Sequence, residues 1–281
     1  MKKLLLIFLV VTSLVKAQKE ITVEQDTGTF FTKKNISIIT LSTVLAGSLV
    51  GAYVVWWKDD FGPFRFYSGD WFNDTGLNGI DKVGHFYTSY LFYHLQKDLL
   101  LWGGHSEEFA FWTSTILTFG FALVVEVGDA FSPYGFDYQD LILNSGGLGY
   151  GILQDNVDIF KNFDFKWSYI PKHNFSFPPK LSEDYDGHIY WLSIDIHNLF
   201  KSSVGKIWPE FLRPAIGYSV EDNGNRREFI AGLDFNLYSL FESSDENWNL
   251  IFKSADHFHI PAPGIKFPSK RKADFRGIVL N

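Results

Sequence analysis

Residues 36–57 run for 22 positions without a charged side chain, between Lys33-Lys34 and Lys58-Asp59-Asp60. A helix of that length is roughly 33 Å long at 1.5 Å per residue, about the thickness of a bilayer's hydrocarbon core. Two placements satisfy such a run: a membrane crossing or a buried hairpin helix. The crossing is the expectation, with Trp56-Trp57 at the water interface. Ala46, Gly47, Ser48, Gly51 and Ala52 would let a neighbouring helix approach closely.

The N-terminus indicates export. Lys2-Lys3 form a basic start, residues 4–11 an apolar core, and Val15-Lys16-Ala17 a small-residue cleavage site. Residues 1–17 are expected to be a signal peptide, followed by a polar linker over residues 18–34. Cleavage after Ala17 would remove three lysines and no acid, taking the net charge from −7 to −10. That balance argues against nucleic acid as a partner. The sequence has no cysteine, which excludes disulfides, thiolate metal ligands, a Cys nucleophile and a lipid-modified Cys. Aromatic residues make up 18% of the chain, a content suited to contact with membrane lipids.

Three further helices are expected. One covers residues 80–102 and is amphipathic, interrupted by His94, Gln96, Lys97 and Asp98. The next, over residues 108–131, is almost uniformly apolar until Glu126. After a turn at Pro133-Tyr134-Gly135, a fourth begins at Asp137 and carries Gly146, Gly147, Gly149 and Gly151. No strand precedes those glycines and no Lys-Ser/Thr follows them, so they read as close helix packing rather than a phosphate loop. Past residue 161 the texture changes. Recurrent prolines discourage long helices, and residues 190–196, 215–220 and 228–237 look like strands. The last two flank a turn at Glu221-Asp222-Asn223-Gly224-Asn225.

The expected architecture is therefore a mainly α, membrane-associated bundle of three to four apolar helices over residues 35–160. A β-rich region over residues 161–281 follows it.

Within the apolar segments, polar side chains recur at helical spacing: Asp81-Lys82-x-x-His85, Glu126-x-x-Asp129, and Asp137-x-x-Asp140-x-x-x-Asn144. Residues three or four apart share a helix face. Charge in such surroundings is costly unless paired, hydrated or used. Part of the pattern has a plain explanation: Asn78 and Asp137 suit helix N-caps, and Asp81 and Asp140 suit first-turn acids. Glu126 lies too deep in its helix to cap anything. An Asp that orients a His serves both general-base and metal sites. Lys82 could meet an anionic headgroup or snorkel to the interface. The candidate catalytic residues are Asp81, Lys82, His85, Glu126, Asp129, Asp140 and Asn144. Of these, His85, Glu126, Asp129 and Asp140 have ligand types suited to a divalent metal such as Zn, Mn or Mg. No His-Glu-x-x-His signature or Gly-x-Ser-x-Gly elbow occurs. His257 and His259 alternate near the C-terminus and read as a solvated pair.

These motifs, with Phe86, Gly135-Phe136 and Gly147, resemble the uncharacterised DUF2279 family, also called YfiM-like. That family usually has Ser where Asp137 stands here, and both residues cap helices. The order of Asp-Lys-x-x-His, an acid, and Asp-x-x-x-Asn is also similar to the VanZ-like membrane family, associated with glycopeptide resistance. Asp184-Tyr-Asp-Gly-x-x-Tyr190-Trp191-Leu192-Ser193 and Ile216-Gly217-Tyr218 look like longer DUF2279 members, so the likeness extends over roughly residues 75–240. The resemblance implies a bacterial cell-envelope protein and no established reaction. Some members look like envelope lipoproteins, a route closed to a sequence without cysteine.

Two functions follow as expectations. In one, the His/Glu/Asp/Asn cluster staples the helices or binds a ligand or ion in a membrane-embedded envelope protein. In the other, a hydrolase or transferase acts on a lipid or lipid-linked envelope substrate with metal assistance. There His85 is the base and Asp81 or Glu126 orients it. Membrane lipids are the expected partners, and no protein partner is signalled.

Overall fold

The computed structural model describes residues 31–67, 69, 71, 77–172, 181–269 and 271–280. The expected signal peptide lies outside the described residues. So does the expected linker, apart from residues 31–34, of which Lys33 and Lys34 already belong to the first helix.

Four long helices come first. Helix α1, Lys33–Ala52, starts where the Thr32 hydroxyl accepts the Asn35 N–H, and a π-helical turn, Tyr53–Trp57, continues it. Helices α2 (Ile80–Trp102), α3 (Glu107–Asp129) and α4 (Tyr138–Asn156) follow. Ser106 caps α3 through the Phe109 N–H, with Glu107 and Glu108 in the first turn, where they favour the helix dipole. The Ser37 hydroxyl meets His105 Nε2 at 3.2 Å, and Trp57 meets Asp129 at 2.7 Å. Helices α1 and α3 therefore run parallel and share both ends, with α2 antiparallel between them. Leu41, Leu100, Ala110 and Leu117 form the apolar seam at one end, and Ala52, Trp57 and Val125 form it at the other.

The glycines of α4 bring it against α2. A Cβ on Gly147 would lie 1.9 Å from the Phe86 carbonyl oxygen, so only glycine permits this approach of the two backbones. The opposite side of α2 packs on a sheet. Phe86 meets Phe165 edge-on at 4.8 Å, Tyr87 meets Tyr190 at 5.6 Å, and the Tyr87 hydroxyl donates to the His257 carbonyl.

That sheet has six strands in meander order, every neighbour antiparallel: β1 (Phe163–Tyr169), β2 (His188–Ile194), β3 (Leu212–Glu221), β4 (Arg226–Phe235), β5 (Gly264–Pro268) and β6 (Asp274–Arg276). The β3–β4 hairpin turns through Asp222, Asn223 and Gly224, all at positive φ, which fits the turn residues read there. The face away from α2 buries Ile189, Trp191, Ala215, Ile230 and Val279. Residues 257–259 run along the β1 edge, where Trp167 and Phe258 form a parallel bridge. His259 donates its N–H to the Trp167 carbonyl and stacks on Trp191 at 3.9 Å, and Leu233 donates to the Pro263 carbonyl. Charges on the same face are paired, as in Lys166 with Asp234 and Asp256, each at 2.8 Å.

The expected bundle of three to four apolar helices is therefore corrected. Among the described residues only two helices, Lys33–Trp57 and Glu107–Asp129, are long and apolar enough to cross a membrane. Helix α2 fails as an apolar span because it is the central strut. It spends its aromatic face on the sheet and turns its polar residues toward α4, whose own polar stripe answers them. The β part is a full antiparallel sheet packed on that strut rather than an appendage, and β1, β5 and β6 add to the strands expected. Trp57 does not sit at an interface; its ring is buried against α3, where a Cβ on Gly128 would lie 2.2 Å from it.

Candidate functional site

The polar residues meet at one end of the helices, where α1 and α3 finish and α2 and α4 begin. Helix α2 starts from Asn78 and Gly79, both at positive φ, and Gly79 caps it without a side chain. Asn78 is not the cap expected of it. It ties the helix start to the β3–β4 hairpin instead, donating to the Gly224 carbonyl and accepting the Tyr218 hydroxyl at 2.5 Å each. Helix α4 starts at Asp137, whose Oδ1 accepts the Gln139 N–H at 2.8 Å. The turn before it is fixed by Gly135, also at positive φ, where a Cβ would lie 2.9 Å from the Tyr67 backbone nitrogen.

Lys82 is only 1% exposed and is held by three carboxylates: Asp137 and Asp140 at 2.6 Å each and Asp81 at 3.3 Å. Burial alone would lower its pKa, but Asp140, Asp137 and Asp81 outweigh it and hold the ammonium well above its ordinary range. Its three carboxylate partners thus favour the charged form of Lys82, and at 1% exposure it does not snorkel to an interface. Asp137, read as a cap alone, is both a cap and a partner of this lysine.

His85 stands one turn further along α2. Its Nδ1 lies 3.2 Å from Asn144 Nδ2, and its Nε2 lies 3.4 Å from Asp140 Oδ2. The Ser89 hydroxyl donates to Asn144 Oδ1 at 2.9 Å, which completes a chain from Ser89 through Asn144 and His85 to Asp140. Burial holds the Asp140 carboxyl above its usual range even though His85 and Lys82 pull it down.

Glu126, also 1% exposed, accepts the Asp137 N–H at 3.2 Å through Oε2, while its Oε1 has no hydrogen-bond partner among the described residues. His85, Glu126 and Asp140 each bring one ligand atom into a group whose members all lie within 4.8 Å of one another. Asp129 stands outside that group, accepting the Trp57 indole N–H at 2.7 Å. Asp81 reaches the lysine with Oδ2, and its buried Oδ1 has no hydrogen-bond partner among the described residues.

Most of these residues, though not Glu126, line a cavity of about 450 Å³. Its lining is apolar at Trp56, Phe92, Phe121, Ala122 and Val125 and polar at Asp81, His85, Asp129, Asp140 and Asn144, with Tyr134, Tyr185 and Tyr190 beside them. Asp81, Asp129, Asp137, Asp140 and Glu183 line the cavity with Lys82, and Glu126 lies close to His85 and Asp140, an excess of acidic groups in low-dielectric surroundings. Such an arrangement favours binding of protons, a cation or a cationic group.

Sequence spacing missed Ser89, although it lies four residues from His85 on the same helix face. It also missed Trp57, Tyr185 and Tyr190, whose entry depends on tertiary packing and leaves no local pattern. His257 and His259, expected in solvent, are packed elsewhere, His257 on His94 and His259 on Trp191.

Residues 68–156 match the DUF2279 family model, described as a predicted periplasmic lipoprotein. The match covers about a third of the chain and includes every candidate residue, and the resemblance read from the motifs is shown over it. It ends before β1, so the likeness suggested for residues beyond 156 lies outside it. An exported cell-envelope protein is the placement this match supports, although the sequence has no cysteine to carry a lipid. No curated protein and no solved structure matches the chain.

Proposed function

We propose that this chain is a membrane-embedded envelope protein that binds an amphipathic ligand, with α1 and α3 seated in lipid. The observation that carries this reading is the mixed cavity at the common end of those helices. Its lining combines aromatic and aliphatic side chains with His85, Asp129, Asp140 and Asn144. An acyl or polyprenyl portion fits the apolar lining and a polar headgroup the polar residues. Seating in lipid is supported by the stripe Trp112, Ile116, Phe119, Leu123 and Val127. These residues recur at helical spacing on α3 and are all exposed, as are Ile39, Val44, Val50 and Val54 on α1. The cavity then lies near headgroup depth.

A catalytic reading, hydrolysis or group transfer on a lipid-linked substrate, is favoured by one relationship: His85 between Asp140 and Asn144. The amide and the carboxylate hold the ring at its two nitrogens, as a positioned general base requires.

The test is to plug the cavity. Thr88 lines it from an exposed position on α2, so Thr88→Trp fills the space without opening the core. Wild type and variant are extracted in mild detergent, and co-purifying small molecules are identified by mass spectrometry. The reading expects an amphipathic envelope molecule with the wild type and its loss from a variant of equal yield and membrane fractionation. Equal recovery from both contradicts it.

A further inference from the structure

We propose that His85, Glu126 and Asp140 bind one divalent cation of the zinc or manganese type, with an open coordination position facing the cavity. This deepens the ligand-binding reading by naming an ion in the same cavity, and it stands on observations of its own.

The first is the donor set. One nitrogen and two carboxylate oxygens, from three different helices, come within 4.8 Å of one another. Ligand atoms around a tetrahedral ion with metal–ligand distances of about 2.0–2.2 Å lie roughly 3.3–3.6 Å apart. His85 Nε2 and Asp140 Oδ2 already stand at 3.4 Å, so closing the group calls for a shift of about 1 Å, chiefly at Glu126. One imidazole with two carboxylates suits Zn or Mn better than an all-oxygen ion, and three protein ligands with a free position is the composition of a reactive rather than a sealed site.

The second observation is Glu126 itself. Its carboxylate is almost wholly buried, and Oε1 has no hydrogen-bond partner among the described residues, while Oε2 is occupied by the Asp137 N–H. A buried acceptor left without a donor is expensive. The unsatisfied oxygen belongs to the residue that completes the group, and a cation there would satisfy it.

The third is the support behind His85. A metal-bound imidazole donates its second N–H to an acceptor, which fixes the tautomer and ring plane. Asn144 is in place to accept it, because its amide can reverse within the existing contacts. Oδ1 would then take the His85 N–H, and Nδ2 would donate to the Ser89 hydroxyl, which can act as donor or acceptor. Asn144 and Ser89 are positioning residues in this account. Lys82 is not a ligand. It neutralises part of the carboxylate excess and leaves the rest for the ion.

The test uses the full chain in detergent, stripped with a chelator and titrated calorimetrically with zinc chloride or manganese chloride alone. One equivalent is expected to bind and to raise the melting temperature. His85→Ala and Glu126→Gln should each weaken binding at least tenfold, and Asn144→Ala should weaken it roughly 10–100-fold, the range for residues that orient a ligand. Melting of each stripped variant checks its fold, and if one variant fails to fold, the other decides. No stoichiometric binding of either ion, or binding that both ligand variants leave unchanged, overturns the proposal. A chain that co-purifies with an amphipathic molecule yet binds no ion loses this inference and keeps the ligand reading. Ion binding with no such molecule does the reverse.

Discussion

Trp57 donates its indole N–H to Asp129 at 2.7 Å while its ring lies flush against the backbone of Gly128. This pair joins the ends of the two apolar helices beside the cavity. Trp57→Phe should keep the ring packing and leave a half-buried carboxylate short of a donor, a loss of about 1–3 kcal/mol. Gly128→Ala would place its Cβ 2.2 Å from the same ring and should cost a similar amount through overpacking. Thermal melting in detergent measures both.

Lys82 is the one fixed cation among three aspartates, and Lys82→Met should be severe. Removing one partner of a buried ionic set typically costs about 3–5 kcal/mol, because the other charges remain buried. Adding Asp137→Asn and Asp140→Asn to Lys82→Met should recover much of the loss. Melting of the single and triple variants tests this, and a triple variant no more stable than the single one would show that the cage is not electrostatic.

The glycines of α4 differ in what they face. Gly147→Ala meets the Phe86 backbone and should separate α2 from α4, costing more than about 3 kcal/mol, at or beyond the usual overpacking range. A Cβ on Gly149 would have nothing within 4 Å, so Gly149→Ala should stabilise the chain by about 0.5–1 kcal/mol. Opposite signs two residues apart in one helix give a sensitive check on its rotation.

Stability should fall in acid through the stacked pair His94 and His257. Burial pushes His257 down to about 3, with His94 adding to the effect, and burial also lowers His94. The folded state therefore binds fewer protons than the unfolded state below the ordinary histidine pKa of about 6.5. The stability these neutral rings contribute is complete above that pH. It declines by about 1.4 kcal/mol per pH unit for His257 as pH falls toward 3. Melting profiles between pH 7.5 and 5 should flatten in His257→Phe, which keeps the ring stack. An unchanged slope would remove His257 from the account.

The local parts of this fold were legible in the sequence because they rest on local physics. The charge-free run, the Asp137 cap and the Asp222-Asn223-Gly224 turn fall where spacing and side-chain chemistry put them, whereas the Ser106 cap was not read. The site residues were legible as a group, since Asp81, Lys82, His85, Glu126, Asp140 and Asn144 are polar at helical spacing in apolar surroundings. What was not legible is what each helix faces. Periodicity shows that α2 has an aromatic side and a polar side, but it cannot tell a sheet from lipid as the partner of the first. Strand β1 escaped because Phe163–Tyr169 mixes aromatic and charged residues, with Lys166 turned inward to Asp234. Trp57 looked interfacial because aromatic residues at a helix end usually are, whereas Gly128 makes a slot for it.

Glu126→Gln in the metal-free chain separates a working site from a staple in the polar cluster. Gln keeps an acceptor for the Asp137 N–H and removes a buried ionisable group that has an unpartnered oxygen. The account predicts a melting temperature equal to or above that of the metal-free wild type, within about 2 °C, and normal yield. A staple at this position would cost about 3 kcal/mol or more, roughly 6–12 °C for a chain of this size. A drop of that size in Glu126→Gln would contradict the account.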